Sequence, residues 1–174
     1  MKTLEDRIQG IRLVCTDVDG VLTTGSLHYG DQRTHSKSFN ARDGAGIKWL
    51  QRAGIPVAFI SGLDSPATRH RAMDLKVEDC IVGELDKKPF LEQLCAKYQL
   101  RPDQVAHLGD DLGDLPLLTR VGLACCPQDA APEVLAVAHW VVPVAGGAGA
   151  MRALAERILK AQGHWDAIVA SYVS

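Results

Sequence analysis

The chain has 174 residues, of which 47% are hydrophobic and 23% are charged, as expected for a globular protein with one buried core. Its net charge of −2 and its aromatic content of 5% argue against nucleic acid or an anionic membrane surface as a partner. The segment MKTLEDRIQG at the start lacks the apolar core of a signal peptide, and no apolar run approaches the roughly 20 residues that span a bilayer. We therefore expect a cytoplasmic protein that folds as a single domain over residues 1–174.

The first third of the chain predicts a strand, a hairpin and a helix. The apolar run Ile11–Thr16 is typical of a buried strand. Two short segments that flank Gly-Asp-Gln within Ser26–Asn40 indicate a β-hairpin after that strand. Asp43 is then expected to cap a helix that ends near Gly54.

The remainder of the chain alternates between apolar runs and helical patterns. Further strands are expected at Ile55–Ser61, Asp79–Gly83, Val105–Asp110, Gly122–Cys126 and His139–Val142. Helices are expected from Ser65-Pro66 onward, at Lys88–Tyr98 and at Met151–Gln162. Because continuously apolar strands that alternate with helices form parallel sheets covered on both faces, the sequence predicts an α/β fold with a doubly wound, mostly parallel, Rossmann-like sheet.

The cysteines indicate a reducing compartment. They are five in number, lie mostly in apolar surroundings and show no C-x-x-C spacing. Such a set is typical of buried, reduced thiols. The residues concerned are Cys15, Cys80, Cys95, Cys125 and Cys126.

Polar residues follow several of the predicted strands at the point where each strand ends. Asp17, Ser61 and Asp110 occupy such positions. In doubly wound sheets, ligands bind outside the carboxyl ends of the strands, so residues far apart in sequence are expected to meet there. The set that could gather at this edge is Asp17, Asp19, Ser61, Lys87, Asp110, Asp111 and Asp114.

This set favours phosphoryl transfer. Several carboxylates in one cleft repel each other unless a cation neutralises them, and oxygen ligands suit Mg²⁺. A lysine and a hydroxyl, here Lys87 and Ser61, suit the oxygens of a phosphate group. Each of these features is weak alone, since an Asp-x-Asp pair is often only a turn or a helix cap; their joint placement carries the interpretation.

Four segments in a fixed order resemble the motifs of the haloacid-dehalogenase-like phosphatases: DVDGVLT, FISG, DKK and GDDLGD. Two longer segments, KSFNARDGAGIKWL and GGAGAMRALAERILKAQG, resemble the 3-deoxy-D-manno-octulosonate 8-phosphate phosphatase family. The resemblance runs from about Ile11 to Gly163. It implies an Mg²⁺-dependent phosphatase of a keto-deoxy sugar acid phosphate that serves lipopolysaccharide biosynthesis.

The resemblance also implies roles for individual residues. Asp17 would be the nucleophile that forms an aspartyl-phosphate, and Asp19 the general acid and then the general base. Ser61 and Lys87 would hold phosphate oxygens. The Asp17 carboxylate, the Asp19 backbone carbonyl and Asp110 would hold Mg²⁺, oriented by Asp111 and Asp114. The implied substrate contacts are Asn40, Ala41, Arg42, Asp43, Gly44, Lys48, Arg71 and Lys87.

The family resembled has no separate cap domain, and this chain leaves no room for one. Only the predicted hairpin follows the first motif, and only residues 62–86 separate Ser61 from Lys87. The resemblance implies a homotetramer that assembles through the hairpin, with neighbouring subunits and C-terminal tails covering each site.

Two positions depart from the family pattern. Leu63 and Ala148 stand where the family usually has arginine, the residue best suited to hold a sugar-acid carboxylate. The predicted substrate is 3-deoxy-D-manno-octulosonate 8-phosphate, with the 9-phosphate of a nine-carbon, sialic-acid-like keto-deoxy sugar acid as the alternative.

Two other classes of protein are alternatives to a phosphatase. One is a receiver domain of two-component signalling, and the other is a catalytically silent subunit of a sugar-nucleotide assembly. A receiver domain carries its phosphorylated aspartate at the end of a middle strand, where this chain has Ser61. The silent subunit is disfavoured because all of the chemical residues are present. The histidines show no metal-ligand spacing and are expected to be surface or packing residues: His28, His35, His70, His107, His139 and His164.

Overall fold

The central feature of the computed structural model, which describes residues 2–30 and 35–173, is a six-stranded parallel sheet. The strands of the chain are β1 (Leu13–Thr16), β2 (His28–Tyr29), β3 (His35–Ser36), β4 (Val57–Ser61), β5 (Asp79–Val82), β6 (Val105–Leu108), β7 (Leu123–Pro127) and β8 (Trp140–Val142). The sheet has the order β5-β4-β1-β6-β7-β8, and each neighbouring pair in it is parallel. The predicted doubly wound α/β fold is therefore confirmed.

Helices follow most of these strands. They are α1 (Leu4–Gln9), α2 (Ala41–Arg52), α3 (Pro66–Leu75), α4 (Lys88–Tyr98), α5 (Leu115–Leu118), α6 (Pro132–Val137), α7 (Ala150–Ala161) and α8 (Trp165–Ala170), with single 3₁₀ turns at Pro102–Gln104 and Leu112–Asp114. The sequence predicted the four helices of ten or more residues and missed α1, α5, α6 and α8. These have four to six residues, too few turns for a helical period to show.

The predicted cap of α2 is wrong. The helix begins at Ala41, and the side chain of Asn40 caps it by accepting a hydrogen bond from the Arg42 N–H at 2.9 Å. Asp43 lies inside the first turn, where its Oδ1 accepts from the Arg152 N–H at 2.7 Å. Asp43 therefore caps the first turn of α7, which has no capping side chain of its own.

The sheet separates two apolar layers. Val14 of β1 packs in the layer covered by α1, α2, α3 and α7, whereas Leu13 and Cys15 pack in the layer covered by α4, α5 and α6. Successive side chains of a strand point to opposite faces, so both faces of the sheet are apolar and polar groups concentrate at the strand ends. Four of the five cysteines are buried, and Cys80 is half-buried.

The segment after β1 carries the antiparallel pair β2–β3, in which His28 faces Ser36 and Tyr29 faces His35. Residues 31–34, which hold most of the predicted turn, lie outside the described residues, so the hairpin as a whole stays a prediction. Within the described part of the chain, no helix is long and apolar enough to cross a bilayer.

Candidate active site

The carboxyl ends of β1, β4 and β6 open into one cavity of about 460 Å³. All of the polar residues that the sequence predicted to gather at this edge line it. Asp17 directly follows β1, Ser61 ends β4, and Asp110 lies just past β6. Because these three strands are adjacent in the sheet, residues from distant parts of the chain become neighbours.

A buried ion-pair network forms the floor of this cavity. Lys87, at the start of α4, is 5% exposed and donates to Asp17 Oδ1 and, at 2.8 Å, to Asp114 Oδ1. A buried ammonium is tolerated only where opposite charge surrounds it. Lys87 thus holds Asp17 and Asp114 together from the side of α4.

Asp114 is the most heavily hydrogen-bonded acid of the site. Besides Lys87, its Oδ1 contacts His107 Nε2 at 2.8 Å, and its Oδ2 accepts from the Asp110 N–H at 3.1 Å. Burial opposes ionisation of Asp114, but the hydrogen bonds and charges of His107 and Lys87 outweigh it and hold the pKa of Asp114 below its usual range. An ionised Asp114 can only accept, so His107 Nε2 carries the proton of this bond.

Two other carboxyl groups have raised pKa values. Burial, together with the charge of Asp114, raises the pKa of Asp17. Burial and then the charges of Asp114 and Asp111 raise the pKa of Asp110 to about 7. Carboxylate oxygens of Asp17, Asp110 and Asp114 all lie within 4.8 Å of one another. The cluster is therefore an all-oxygen donor set that is short of positive charge, which is the chemistry that suits a hard divalent cation.

Gly20 allows the first loop to approach this cluster. It has a φ of +92°, and a Cβ atom there would lie 2.0 Å from Asp110 Oδ2. A side chain at this position would be strained and would displace the Asp110 carboxylate. The glycine of the first motif is therefore needed for the acids to converge.

Two residues outside the predicted set belong to the site. Lys37 donates a hydrogen bond to Asp19 Oδ2 at 2.7 Å. His107 was expected to be a surface or packing residue, but it forms a hydrogen bond with Asp114. His107 is fully buried on the central strand β6. A lone polar residue inside an otherwise apolar strand was the signal that could have identified it.

The predicted substrate contacts on α2 and α3 lie elsewhere. Ala41, Gly44, Lys48 and Arg71 line a second cavity of about 280 Å³, which does not include the acidic cluster. Asp43 is 2% exposed. In a single copy of the chain these residues therefore do not line the cavity of the acids, and their role as substrate contacts stays a prediction.

Two residues of that group are placed by their hydrogen bonds, and Arg42 is exposed. Asn40 donates to the Gly147 carbonyl at 3.2 Å, and Arg71 donates to the Asn40 carbonyl at 3.1 Å. Leu63, by contrast, lines the acidic cavity, and Ala148 is exposed in the loop before α7.

Known proteins resemble this chain over most of its length. The haloacid dehalogenase-like hydrolase family matches residues 76–154. The 3-deoxy-D-manno-octulosonate 8-phosphate phosphatase of Yersinia pestis is 41% identical over 156 residues, covering 90% of this chain and 83% of that protein. Its counterpart from Haemophilus influenzae is 40% identical over 160 residues, covering 92% and 89% of the two chains.

Solved structures show the same likeness. A probable YrbI family phosphatase from Pseudomonas syringae pv. phaseolica superposes with a TM-score of 0.95 at 42% identity, covering 98% of this chain and 97% of that one. The 3-deoxy-D-manno-octulosonate 8-phosphate phosphatase of Moraxella catarrhalis, solved with magnesium, phosphate and KDO, gives a TM-score of 0.94 at 33% identity and 97% coverage of both chains. This chain belongs to the 3-deoxy-D-manno-octulosonate 8-phosphate phosphatase family of haloacid dehalogenase-like hydrolases.

Proposed function

We propose that this protein is an Mg²⁺-dependent phosphomonoesterase that hydrolyses 3-deoxy-D-manno-octulosonate 8-phosphate in the cytoplasm. The observation that carries the proposal is the convergence of Asp17, Asp110, Asp114 and Lys87 in one cavity at the carboxyl edge of the sheet. The relatives named for this reaction, and the Moraxella structure that holds magnesium, phosphate and KDO, support the substrate and the metal.

The donor set fits magnesium. Burial, and after it the charge of neighbouring carboxylates, raises the pKa values of Asp17 and Asp110, and a divalent cation would relieve the repulsion between these acids. The ligands would be Asp17, Asp110 and the backbone carbonyl of Asp19. Asp114 already accepts bonds on both oxygens and would act as a positioning residue. When bound, the cation supplies charge stabilisation to the phosphate oxygens.

The chain's own residues then account for the two steps of the reaction. A carboxylate oxygen of Asp17 bonds to phosphorus, the bond from phosphorus to the sugar oxygen breaks, and Asp19 gives that oxygen a proton. Asp19 next takes a proton from water, the water oxygen bonds to phosphorus, and phosphate leaves Asp17. Lys87 and Ser61 hold the phosphate oxygens through both steps.

The whole chain acts as one domain without a cap, and four copies cover one another's sites. Leu85, which lines the cavity and is 83% exposed, is an apolar side chain that a neighbouring copy would cover. Light scattering after gel filtration tests it, and a monomeric mass would contradict it.

The eight-carbon substrate is preferred to the nine-carbon alternative because relatives about 40% identical carry its name. The test is phosphate release by the purified protein with Mg²⁺, comparing kcat/KM for both sugar-acid phosphates and for p-nitrophenyl phosphate. The eight-carbon acid phosphate should give the highest value. A higher value for the nine-carbon acid would reverse the assignment, and no turnover of any ester would refute the phosphatase.

A further inference from the structure

Lys37 is a lysine whose side chain is completely buried, although nothing in its sequence context predicts this. Its ammonium lies 2.7 Å from Asp19 Oδ2 and 3.1 Å from Thr68 Oγ1. Burying an ammonium is unfavourable unless a charge and further hydrogen bonds compensate it. Lys37 therefore occupies a built site between the loop after β1 and the helix α3.

The two carboxylate oxygens of Asp19 have different surroundings. Oδ2 accepts from Lys37 and contacts Ser61 Oγ at 3.4 Å. Oδ1 is buried and accepts no hydrogen bond within residues 2–30 and 35–173. Lys37 therefore makes the shorter of the two contacts to Oδ2, and it fixes the orientation of the Asp19 carboxyl group.

We propose that Lys37 is a positioning residue, which holds the Asp19 carboxyl group in place while that group exchanges the proton with the leaving oxygen and then with water. This rests on the proposed function, in which Asp19 is the general acid and base. Thr68 holds the ammonium from α3, so two separate segments of the chain set the orientation of Asp19.

The role of Lys37 depends on the leaving group. When a sugar phosphate reacts, the bond from Asp17 to phosphorus forms, the bond to the sugar oxygen breaks, and that oxygen takes the proton of Asp19. p-Nitrophenolate is a stable anion and leaves without a proton. The ratio kcat/KM reports the steps up to departure of the leaving group. Loss of Lys37 should therefore lower kcat/KM for the sugar phosphate and leave kcat/KM for the aryl phosphate nearly unchanged.

The experiment compares kcat/KM of the Lys37→Met variant on the two esters. We expect a loss of about tenfold or more on 3-deoxy-D-manno-octulosonate 8-phosphate and a change within about threefold on p-nitrophenyl phosphate. Lys37→Arg, which keeps the charge, should recover part of the loss, and Thr68→Val should give a smaller loss in the same direction. Lys97→Met is the matched control, because Lys97 pairs with Asp79 at 2.7 Å on the surface; it should change neither value.

Two results would overturn the inference: an equal loss on both esters, which indicates a role in folding or phosphate binding, or no loss on either. A double-mutant cycle with Asp19→Asn and Lys37→Met in urea unfolding needs no turnover. The two changes together should lower stability by less than the sum of the single changes, and strict additivity would refute the contact. A wild-type protein that hydrolyses neither ester would instead refute the proposed function.

Discussion

Replacing Lys87 with methionine tests the charge balance of the site. The change keeps an unbranched side chain but removes the ammonium that Asp17 and Asp114 share. Carboxylate oxygens of these two acids and Asp110 lie within 4.8 Å of one another, so the variant buries three acids without the cation between them. We expect a large loss of stability in metal-free buffer at pH 8, which lies above the folded pKa of Asp110 and far above that of Asp114.

The expected loss of stability follows from the burial of this ion pair. Removing one partner of a buried ion pair costs about 3–5 kcal/mol. For a chain of this length, each kcal/mol lowers Tm by about 2–4 °C, so Tm should fall by about 6–20 °C. The pair of exposed Lys97 and half-buried Asp79 is the control, since pairs at the surface contribute about 0–1 kcal/mol.

The loss should depend on pH in a defined direction. The pKa values of Asp17 and Asp110 in the folded protein lie above that of an unfolded aspartate, Asp110 at about 7. An acid with a raised folded pKa favours the folded state at low pH and loses that contribution as pH rises through the folded value. Protonation therefore relieves the repulsion in acid, and the difference in Tm between wild type and Lys87→Met should shrink from pH 8 to pH 5.

The assay is thermal unfolding by circular dichroism in EDTA, for wild type, Lys87→Met and Lys97→Met at both pH values. Equal losses at pH 8 and pH 5 would show that the carboxylates do not drive the effect. A loss for Lys87→Met no greater than that for Lys97→Met would show that the buried network contributes nothing.

Four further predictions concern activity. Asp17→Asn should abolish phosphate release, because an amide cannot form the acyl-phosphate, and should still fold, because Asp114 continues to pair with Lys87; near-normal turnover would exclude Asp17 as nucleophile. EDTA should abolish activity, and Asp110→Ala should weaken Mg²⁺ binding in calorimetry, since it removes a carboxylate ligand; activity that survives chelation would contradict the metal site. His107→Leu should lower kcat about tenfold, because a hydrogen bond to a charged group contributes about 1.5–3 kcal/mol. His107→Gln, which keeps an N–H donor, should recover part of the lost kcat, and an unchanged kcat in His107→Leu would mean that Asp114 does not need this hydrogen bond. Leu63→Arg should raise kcat/KM for the eight-carbon acid phosphate about tenfold or more and leave kcat/KM for p-nitrophenyl phosphate unchanged, because only the former has a carboxylate to meet the new guanidinium. A variant whose kcat/KM for the eight-carbon acid phosphate equals that of wild type would show that Leu63 has no part in specificity.

The sequence by itself determined the sheet and the edge at which the acids meet. Apolar runs such as Ile55–Ser61 must be buried on both faces, which requires parallel strands and helical crossovers. That topology places the strand ends together, so Asp17, Ser61 and Asp110 could be predicted as neighbours without any knowledge of contacts. These are consequences of local pattern and chain connectivity.

Only the tertiary structure decided the partners of the buried polar groups. Lys37 joins Asp19 through a segment 18 residues further along the chain, and Asp43 caps a helix 109 residues away. The sequence shows that such groups need partners but not which ones, because any donor within reach satisfies the same requirement. Which donor comes within reach depends on how the helices pack against the sheet, and that packing is a property of the whole chain.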